Sequence, residues 1–254
     1  MNKEEIGIGI LDVYTQEDLN NCYNSIPKDL KVFVVSDTKN NIPESVENYR
    51  VYGNGVPFAS LRNWLISQFR IAGLKHFFLI NSNQIIKNEN VFENIIKKAS
   101  IFGTWAMMGP SESIVTIDDE EKNESLSISN KLNADFIYLF NGIVSNVGYF
   151  DERFFNTKDL DVVDYILRMR EKKVYPPNNY HPIIEKDIDS SSSTIQKINY
   201  KDMLNADQSV HMSYAYFMFK YQYIPLQNEP APVPREELLK SLEEIQKNYS
   251  KNEQ

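Results

Sequence analysis

The chain has 254 residues, of which 42% are hydrophobic and 12% aromatic, so it can bury the core of one large α/β domain or two small ones. Its formal charge of −8 at pH 7 argues against tight nonspecific binding to nucleic acid, and its single cysteine, Cys22, excludes an internal disulfide and a multi-cysteine zinc site. No apolar run reaches the length of about 18 residues that predicts a membrane span, and no leader pattern opens the chain, so we expect a cytoplasmic protein.

The first part of the chain reads as strand, helix and strand. Isoleucine alternates with glycine over residues 6–10, which predicts a strand whose glycines permit close approach of backbone or ligand. Thr15 is placed to cap a helix that Pro27 ends, and residues 31–35 form a second apolar run. This order is typical of parallel strands joined by a helix.

Polar residues follow both of these strands. Asp12 and Tyr14 come after the first strand, and Ser36 and Asp37 after the second. Because the carboxyl ends of parallel strands meet at one edge of a sheet, we expect these four residues to lie together where such sheets bind ligands. The local sequence alone is also consistent with an Asx turn at Asp37 and a half-buried aromatic at Tyr14.

The best-defined stretch follows a short predicted strand at 49–52. Apolar residues recur at three- and four-residue steps over 58–72, which predicts a helix, and Gly73 is placed to end it. Residues 76–80 are a short apolar run typical of a strand buried on both faces. That strand is followed by Asn81, Ser82 and Asn83, and we expect this polar tip at the ligand-binding edge.

The alternation continues and then changes. A helix is predicted over 89–100 and strands over 105–108 and 136–140, which indicates βαβ units and a mostly parallel sheet. Residues 111–133 lack helical periodicity and are predicted to form a hairpin or loop. The acidic run at 118–121 is predicted to be a solvated turn, because neighbouring side chains of an extended chain diverge.

The last third holds a helix from residue 158, a short strand at 174–175, a lone His181 and an aromatic run around Lys220. Several prolines then precede an amphipathic helix at 235–249, so we expect a main domain over 1–224 and a linker with its helix over 225–254. This last helix is predicted to pack on the domain or on a second copy of the chain.

Two of these stretches carry a family resemblance. Arg62 and Asn63 on a helix, followed by a buried strand with a polar-x-polar tip, and the element Gly148-Tyr149-Phe150-Asp151-Glu152 resemble GT-A-fold glycosyltransferases, especially family 2. The likeness covers about residues 6–223. It implies an α/β fold with a GT-A, Rossmann-like, mostly parallel sheet flanked by helices, a smaller antiparallel part and a C-terminal helix.

The resemblance also implies roles for single residues. The family's catalytic carboxylate matches Asp161 in two registers. Asp159 joins it if Lys158 replaces the family's Glu, and Asp164 joins it if the following Tyr-x-x-Arg tail is the anchor. Acids in a first helical turn are also favoured by the helix dipole alone. The residues expected to bind the nucleotide sugar are Asp12, Tyr14, Ser36, Asp37, Arg62, Asn63, Asn81, Ser82, Asn83 and Lys220.

The tip departs from the family pattern. In the family it is usually Asp-x-Asp and holds a divalent metal against the donor diphosphate, whereas this chain has Asn81 and Asn83, whose neutral oxygens hold hard cations less well. Asn83 and His181 remain candidate ligands for Mn²⁺ or Mg²⁺. Three outcomes stay open: a metal-independent transferase, a weak-metal enzyme, and an inactive nucleotide-sugar-binding module.

The predicted function is transfer of a sugar from a nucleotide-sugar donor, with a UDP-sugar favoured, to an acceptor hydroxyl with inversion. The acceptor stays open among a glycan, a protein and a modified base. A sugar-1-phosphate nucleotidyltransferase is a further alternative, but residues 11–15 lack the glycine-rich basic loop that it needs after the first strand.

Overall fold

The computed structural model describes residues 3–11, 15–36, 42–53, 56–111, 113–154, 160–176, 180–184, 188–190, 206–221, 240, 243–245 and 247. The strands are β1 (Ile6–Leu11), β2 (Lys31–Ser36), β3 (Asn48–Val51), β4 (His76–Asn81), β5 (Gln84–Ile86), β6 (Ala106–Gly109), β7 (Val115–Asp119), β8 (Glu124–Ser129), β9 (Phe136–Phe140), β10 (His181–Ile183) and β11 (Ile188–Ser190). The helices are α1 (Gln16–Ser25), α2 (Phe58–Ile71), α3 (Val91–Phe102), α4 (Asn141–Val147), α5 (Leu160–Glu171) and α6 (Ala206–Tyr221).

A nine-stranded sheet forms the centre, in the order β3-β2-β1-β4-β9-β6-β10-β8-β7. The first four strands are parallel, β9 lies antiparallel between β4 and β6, and β7 and β8 form a hairpin beside β10. Among the strands of this sheet, β8 and β9 therefore run against all the others. The predicted α/β class with a mostly parallel sheet is confirmed, and the predicted hairpin region forms β7 and β8.

The glycines of β1 explain how α2 packs on the sheet. A Cβ added to Gly9 would lie 2.8 Å from Leu65 Cδ1, and one added to Gly7 would lie 2.6 Å from the Phe69 ring. Leu65 thus lies over the later part of β1 and Phe69 over the earlier part, so α2 runs opposite to the strand. Its N-terminal turns consequently lie at the carboxyl end of the parallel strands.

Local sequence signals set the helix ends. Thr15 and Asp18 form the capping box at the start of α1, with the Asp18 backbone N–H donating to Thr15 Oγ1 at 3.1 Å. Gly73 follows α2 with φ 71°, and Gly103 follows α3 with φ 67°. Both glycines take the left-handed conformation that ends helices at low steric cost.

Two predictions near the C-terminus have different outcomes. The strand predicted at Val174 and Tyr175 does not form; both side chains are buried without joining a sheet, and the strand that does form is β10. In the predicted C-terminal helix, Ile245 is buried in the main core. The described neighbours Lys240, Glu243, Glu244 and Lys247 are exposed. This part of the helix therefore packs on its own chain.

No helix in the described ranges has the length and apolar character needed to cross a membrane.

Candidate active site

The strand tips meet at one edge of the sheet. Leu11 pairs with Val35 of β2 and with Asn81 of β4, so Ser36 and Asn81 end the parallel strands on either side of β1 at similar height. Asp135 precedes β9 and lies beside Asn81, because Ile80 and Phe136 are partners in the β4–β9 ladder. Of the expected nucleotide-binding residues, Asp12, Tyr14 and Asp37 lie outside the described residues.

The tip after β4 is held by specific hydrogen bonds. Asn81 donates from Nδ2 to Asp135 Oδ1 at 2.7 Å, and its backbone N–H donates to the Asp135 carbonyl at 2.8 Å. The Ser82 backbone N–H donates to the Leu11 carbonyl at 2.9 Å, which continues the sheet, and Asn83 Oδ1 accepts from Gln84 Nε2 at 2.9 Å. All three tip residues are at least 95% buried. The tip is thus an ordered part of the sheet edge.

Sequence reasoning missed Asp135. It is the last polar residue before the apolar run 136–140, and it lies at this edge because β9 is antiparallel to β4. The residue in front of a strand is a candidate site residue only when the strand direction is known. The signal in the sequence was a polar residue directly before an apolar run. This order does not show which way the strand runs in the sheet.

Asp161 of α5 is joined to Arg62 of α2. Arg62 donates from Nη1 to Asp161 Oδ2, and both side chains are 2% exposed. The guanidinium carbon of Arg62 lies 5.7 Å from the Phe58 ring centroid and 5.6 Å from that of Phe150. Within the described part of the chain, Arg62 Nε and Asp161 Oδ1 are buried without a hydrogen-bond partner. A buried acceptor of this kind calls for an explanation, such as a catalytic role, stored strain or a bound water or ion.

The height of this pair on the sheet follows from helix geometry. Leu65 packs over Gly9, and Arg62 lies three residues earlier in α2, about 4.5 Å further toward the carboxyl end of β1. At about 3.3 Å per strand residue, that height lies between Ile10 and Leu11, next to their partners Ile80 and Asn81. The ion pair therefore brings Asp161 to the same end of the sheet as the polar tips.

Asn63 holds the neighbouring segment. Its Nδ2 donates to the Phe150 carbonyl at 2.9 Å and to Glu152 Oε1 at 2.7 Å, while its Oδ1 accepts from the Phe150 backbone N–H at 2.8 Å. Asn63 thus fixes the Gly-Tyr-Phe-Asp-Glu element to α2. Both halves of its amide are engaged by protein groups.

Asp164 and Lys220 take part in a second buried network. Asp164 accepts from Arg168 Nε at 2.8 Å, from the Tyr221 hydroxyl at 2.7 Å and from Lys220 Nζ. Lys220 also lies 3.0 Å from Asp151 Oδ2, so it connects α6 to α5 and to the segment before α5. Both carboxylate oxygens of Asp164 are occupied.

The charges of this network depend on hydrogen bonds. Burial alone raises the pKa of the Asp151 carboxyl. Hydrogen bonds from Arg153, Lys220 and Tyr216 outweigh burial and hold that pKa well below its usual range. Burial, followed by the hydrogen bond to Asp164, raises the pKa of the Tyr221 hydroxyl well above its usual value. The network therefore keeps Asp151 ionised and Tyr221 protonated at neutral pH.

The structure separates His181 from the tip. Ile183 of β10 is level with Met108, Ile137 and Leu79 through successive ladders, so His181 is level with Phe77, four residues before Asn81. This amounts to about 13 Å along the strands, and three strand spacings add about 14 Å across the sheet. His181 is buried against the Tyr175 hydroxyl, and burial, followed by the charge of Arg170, lowers its pKa to about 3. His181 and Asn83 do not share a metal ion in this arrangement.

The oxygen atoms at the tip suit a hard divalent cation. Asp135 supplies one carboxylate, and Asn81 and Asn83 supply amide oxygens, the ligand type that Mg²⁺ and Mn²⁺ prefer. No group of three histidine, cysteine or acidic side chains comes together within the described residues. A cation held here would thus be bound by few charged protein groups, and it would also depend on oxygen atoms of the molecule bound at the site.

Comparison with known proteins gives likenesses of structure. No protein-family model and no curated protein sequence matches the chain. Residues 1–349 of S. aureus TarS match at 14% identity and a TM-score of 0.47, covering 98% of this chain and 92% of that chain. TarS 1–349 in complex with UDP-GlcNAc matches at 12% identity and a TM-score of 0.46, with the same coverage. The mannosyltransferase PcManGT from Pyrobaculum calidifontis, in complex with GDP-Man and Mn²⁺, matches at 11% identity and a TM-score of 0.49, covering 95% of this chain and 69% of that chain. These likenesses concern overall fold, and the function of this chain rests on its own residues.

Proposed function

We propose that the chain is a glycosyltransferase that moves a sugar from a nucleotide-sugar donor to an acceptor hydroxyl. The observation that carries this proposal is the Arg62–Asp161 ion pair, which holds a carboxylate of α5 at the end of the sheet where the polar strand tips lie. Group transfer to a hydroxyl requires a base beside a donor site, and a buried carboxylate at the edge that carries the polar tips supports this assignment.

Asp161 is the proposed base. Its Oδ2 is engaged by Arg62, so Oδ1 is the atom that takes the proton of the acceptor hydroxyl. The hydroxyl oxygen then bonds to the anomeric carbon, and the bond from that carbon to the diphosphate breaks, with its electron pair leaving on the nucleoside diphosphate. A single displacement of this kind inverts the anomeric centre. Asp164 is less suited, because three protein donors occupy its oxygens, and Asp159 lies outside the described residues.

The donor is proposed to lie along the edge formed by Ser36 and the tip Asn81, Ser82 and Asn83. Asp12, Tyr14 and Asp37 lie outside the described residues, and their part in donor binding stays a prediction from the resemblance. A UDP-sugar remains the favoured donor from the resemblance. We assign Arg62, Asn63 and Lys220 to positioning rather than to donor contact, because each is engaged by buried protein groups. A divalent cation, when bound at the tip, would neutralise the charge that develops on the leaving diphosphate.

The test uses purified full-length protein and a panel that includes UDP-GlcNAc and GDP-mannose. We expect one nucleotide sugar to raise the melting temperature, and the protein to release nucleoside diphosphate from it. Asp161→Asn keeps an oxygen that accepts from Arg62 but removes the basic carboxylate, so it is expected to lower turnover by about 10²-fold or more while donor binding persists. Asp118→Asn, an exposed substitution on β7 with the same chemical change, serves as the control. Failure of every nucleotide sugar to bind would refute the proposal.

A second candidate is a nucleotide-sugar-binding module without turnover. The observation that favours it is the burial of both aspartates of α5, Asp161 and Asp164, each in an ion pair. Saturable binding of a nucleotide sugar without diphosphate release, across a broad set of acceptors, would support this candidate. The resemblance leaves the acceptor open.

A further inference from the structure

Asp135 adds a buried carboxyl group beside the tip, whose own residues Asn81 and Asn83 carry neutral amides. It is 8% exposed, and its Oδ1 accepts from Asn81 Nδ2 at 2.7 Å. Its own backbone N–H donates to Asn133 Oδ1 at 2.9 Å, and Asn133 in turn donates to the Pro110 carbonyl at 2.7 Å. Asp135 is therefore held at the sheet edge by Pro110, directly after β6, through Asn133, as well as by Asn81 of β4.

The bond to Asp135 decides how the amide of Asn81 is turned. The NH₂ group of Asn81 donates to Asp135, so the carbonyl oxygen of that amide faces away from the Asp135 carboxyl group. Asn83 Oδ1 is likewise identified as an acceptor by its bond from Gln84 Nε2. The tip thus combines the carboxyl group of Asp135 with two amide oxygens, and Asp135 is the side chain there whose type hard cations prefer most.

We propose that Asp135, supplied by the strand next to the tip, is the carboxylate that holds a divalent cation at this site. The inference rests on the proposed function, and it names Asp135 as the residue on which cation-dependent donor binding depends. It also accounts for the asparagine at position 81. An aspartate there would set two carboxylates at hydrogen-bond distance, which is unfavourable without a proton or a cation between them.

The same charge governs how a diphosphate binds. The negative charge of Asp135 repels a phosphate at short range, and burial strengthens that repulsion because the local dielectric constant is low. A cation between Asp135 and the diphosphate turns the repulsion into two attractions. Binding of the cation and of the nucleotide diphosphate at this edge should therefore be positively coupled.

The experiment measures Mn²⁺ and nucleotide binding separately on the full chain. Electron paramagnetic resonance reports the loss of free Mn²⁺ in the presence of UDP or GDP, against a blank that contains nucleotide without protein. Calorimetry reports nucleotide-sugar binding with Mn²⁺ and with excess chelator. The variants are Asp135→Asn, Asn81→Asp and the exposed control Asp118→Asn.

We expect the native protein to bind Mn²⁺ in the presence of nucleotide, and Asp135→Asn to weaken that binding at least tenfold while Asp118→Asn leaves it unchanged. Asn81→Asp, which keeps Asp135 and adds a second carboxylate, should tighten Mn²⁺ binding at least tenfold, and it tests the inference even if Asp135→Asn fails to fold. Mn²⁺ binding that is unaffected in both variants overturns the inference. Nucleotide-sugar binding that is equally tight with chelator overturns this inference alone, whereas the absence of any nucleotide-sugar binding overturns the proposed function.

Discussion

Arg62 on α2 and Asp161 on α5 form a buried ion pair between residues 99 positions apart in the sequence. Each side chain is 2% exposed, and the guanidinium lies within 6 Å of the ring centroids of both Phe58 and Phe150. Two buried charges are costly to separate from each other, because each would then lie in a low-dielectric interior without compensation. The pair therefore fixes α5 against α2 and sets where Asp161 lies.

Removing one partner of this pair is expected to destabilise the protein strongly. Arg62→Met leaves Asp161 buried without its counter-charge, which costs about 3–5 kcal/mol of unfolding free energy. The double variant Arg62→Met with Asp161→Leu replaces both charges by apolar groups, so it should lose less than the sum of the two single variants. Urea unfolding of the four proteins measures this coupling. Additive losses, or a cost below about 1 kcal/mol for Arg62→Met, would contradict a buried and coupled pair.

We expect the buried position of Asn63 to require an amide side chain. Asn63→Asp replaces the NH₂ group that donates to Phe150 and Glu152 by an oxygen, so acceptor faces acceptor. We expect a loss of about 2–3 kcal/mol, the cost of buried polar groups left unsatisfied. Asn94→Asp on the exposed face of α3 is the matched control and should stay within about 0.5 kcal/mol of the native protein. Equal effects of the two substitutions would argue against the Asn63 contacts.

Lys220 is expected to hold α6 in place. Lys220→Met leaves the carboxylates of Asp151 and Asp164 facing each other without their shared cation. Hydrogen exchange of the α6 amides should accelerate about 10- to 100-fold, since charged hydrogen bonds contribute about 1.5–3 kcal/mol. Lys97→Met, which breaks an exposed ion pair with Glu124, is the control and should change exchange little. Unchanged exchange in α6 would show that it is anchored by other contacts.

The buried His181 predicts a pH dependence of stability. Its pKa in the folded protein is about 3, against an ordinary value of 6.5. Between these values the unfolded chain binds a proton that the folded chain does not, so stability falls as the pH falls. From pH 7 to pH 5 this one group accounts for a loss of about 2 kcal/mol. His181→Gln removes the titration, so the stability of that variant should fall less over the same range by about this amount. Parallel pH profiles for the two proteins would contradict the assignment.

Much of the fold was predictable from local signals. The apolar run 76–80, the glycine after α2 and the cap at Thr15 each depend on nearby residues, and each prediction is confirmed. The close packing of Leu65 and Phe69 on Gly9 and Gly7 gives the glycines of β1 a helix-packing role. Their alternation was visible in the sequence, but the helix that fills the space was not.

The arrangement of the site depended on contacts that the sequence does not display. The direction of β9 places Asp135 beside Asn81, and only the ladder reveals it. Lys220 is 69 residues from Asp151 and 56 from Asp164, so its partners are set by how α6 docks. Buried polar groups of this kind are determined by tertiary packing rather than by propensity or spacing.

Turnover of a nucleotide sugar by the native protein and by Asp161→Asn, with donor binding measured on the same samples, tests directly whether Asp161 is the base. We expect both proteins to bind the donor and only the native protein to release nucleoside diphosphate at an appreciable rate. Equal turnover by the two proteins would contradict Asp161 as the base, and the absence of donor binding by the native protein would contradict the function itself.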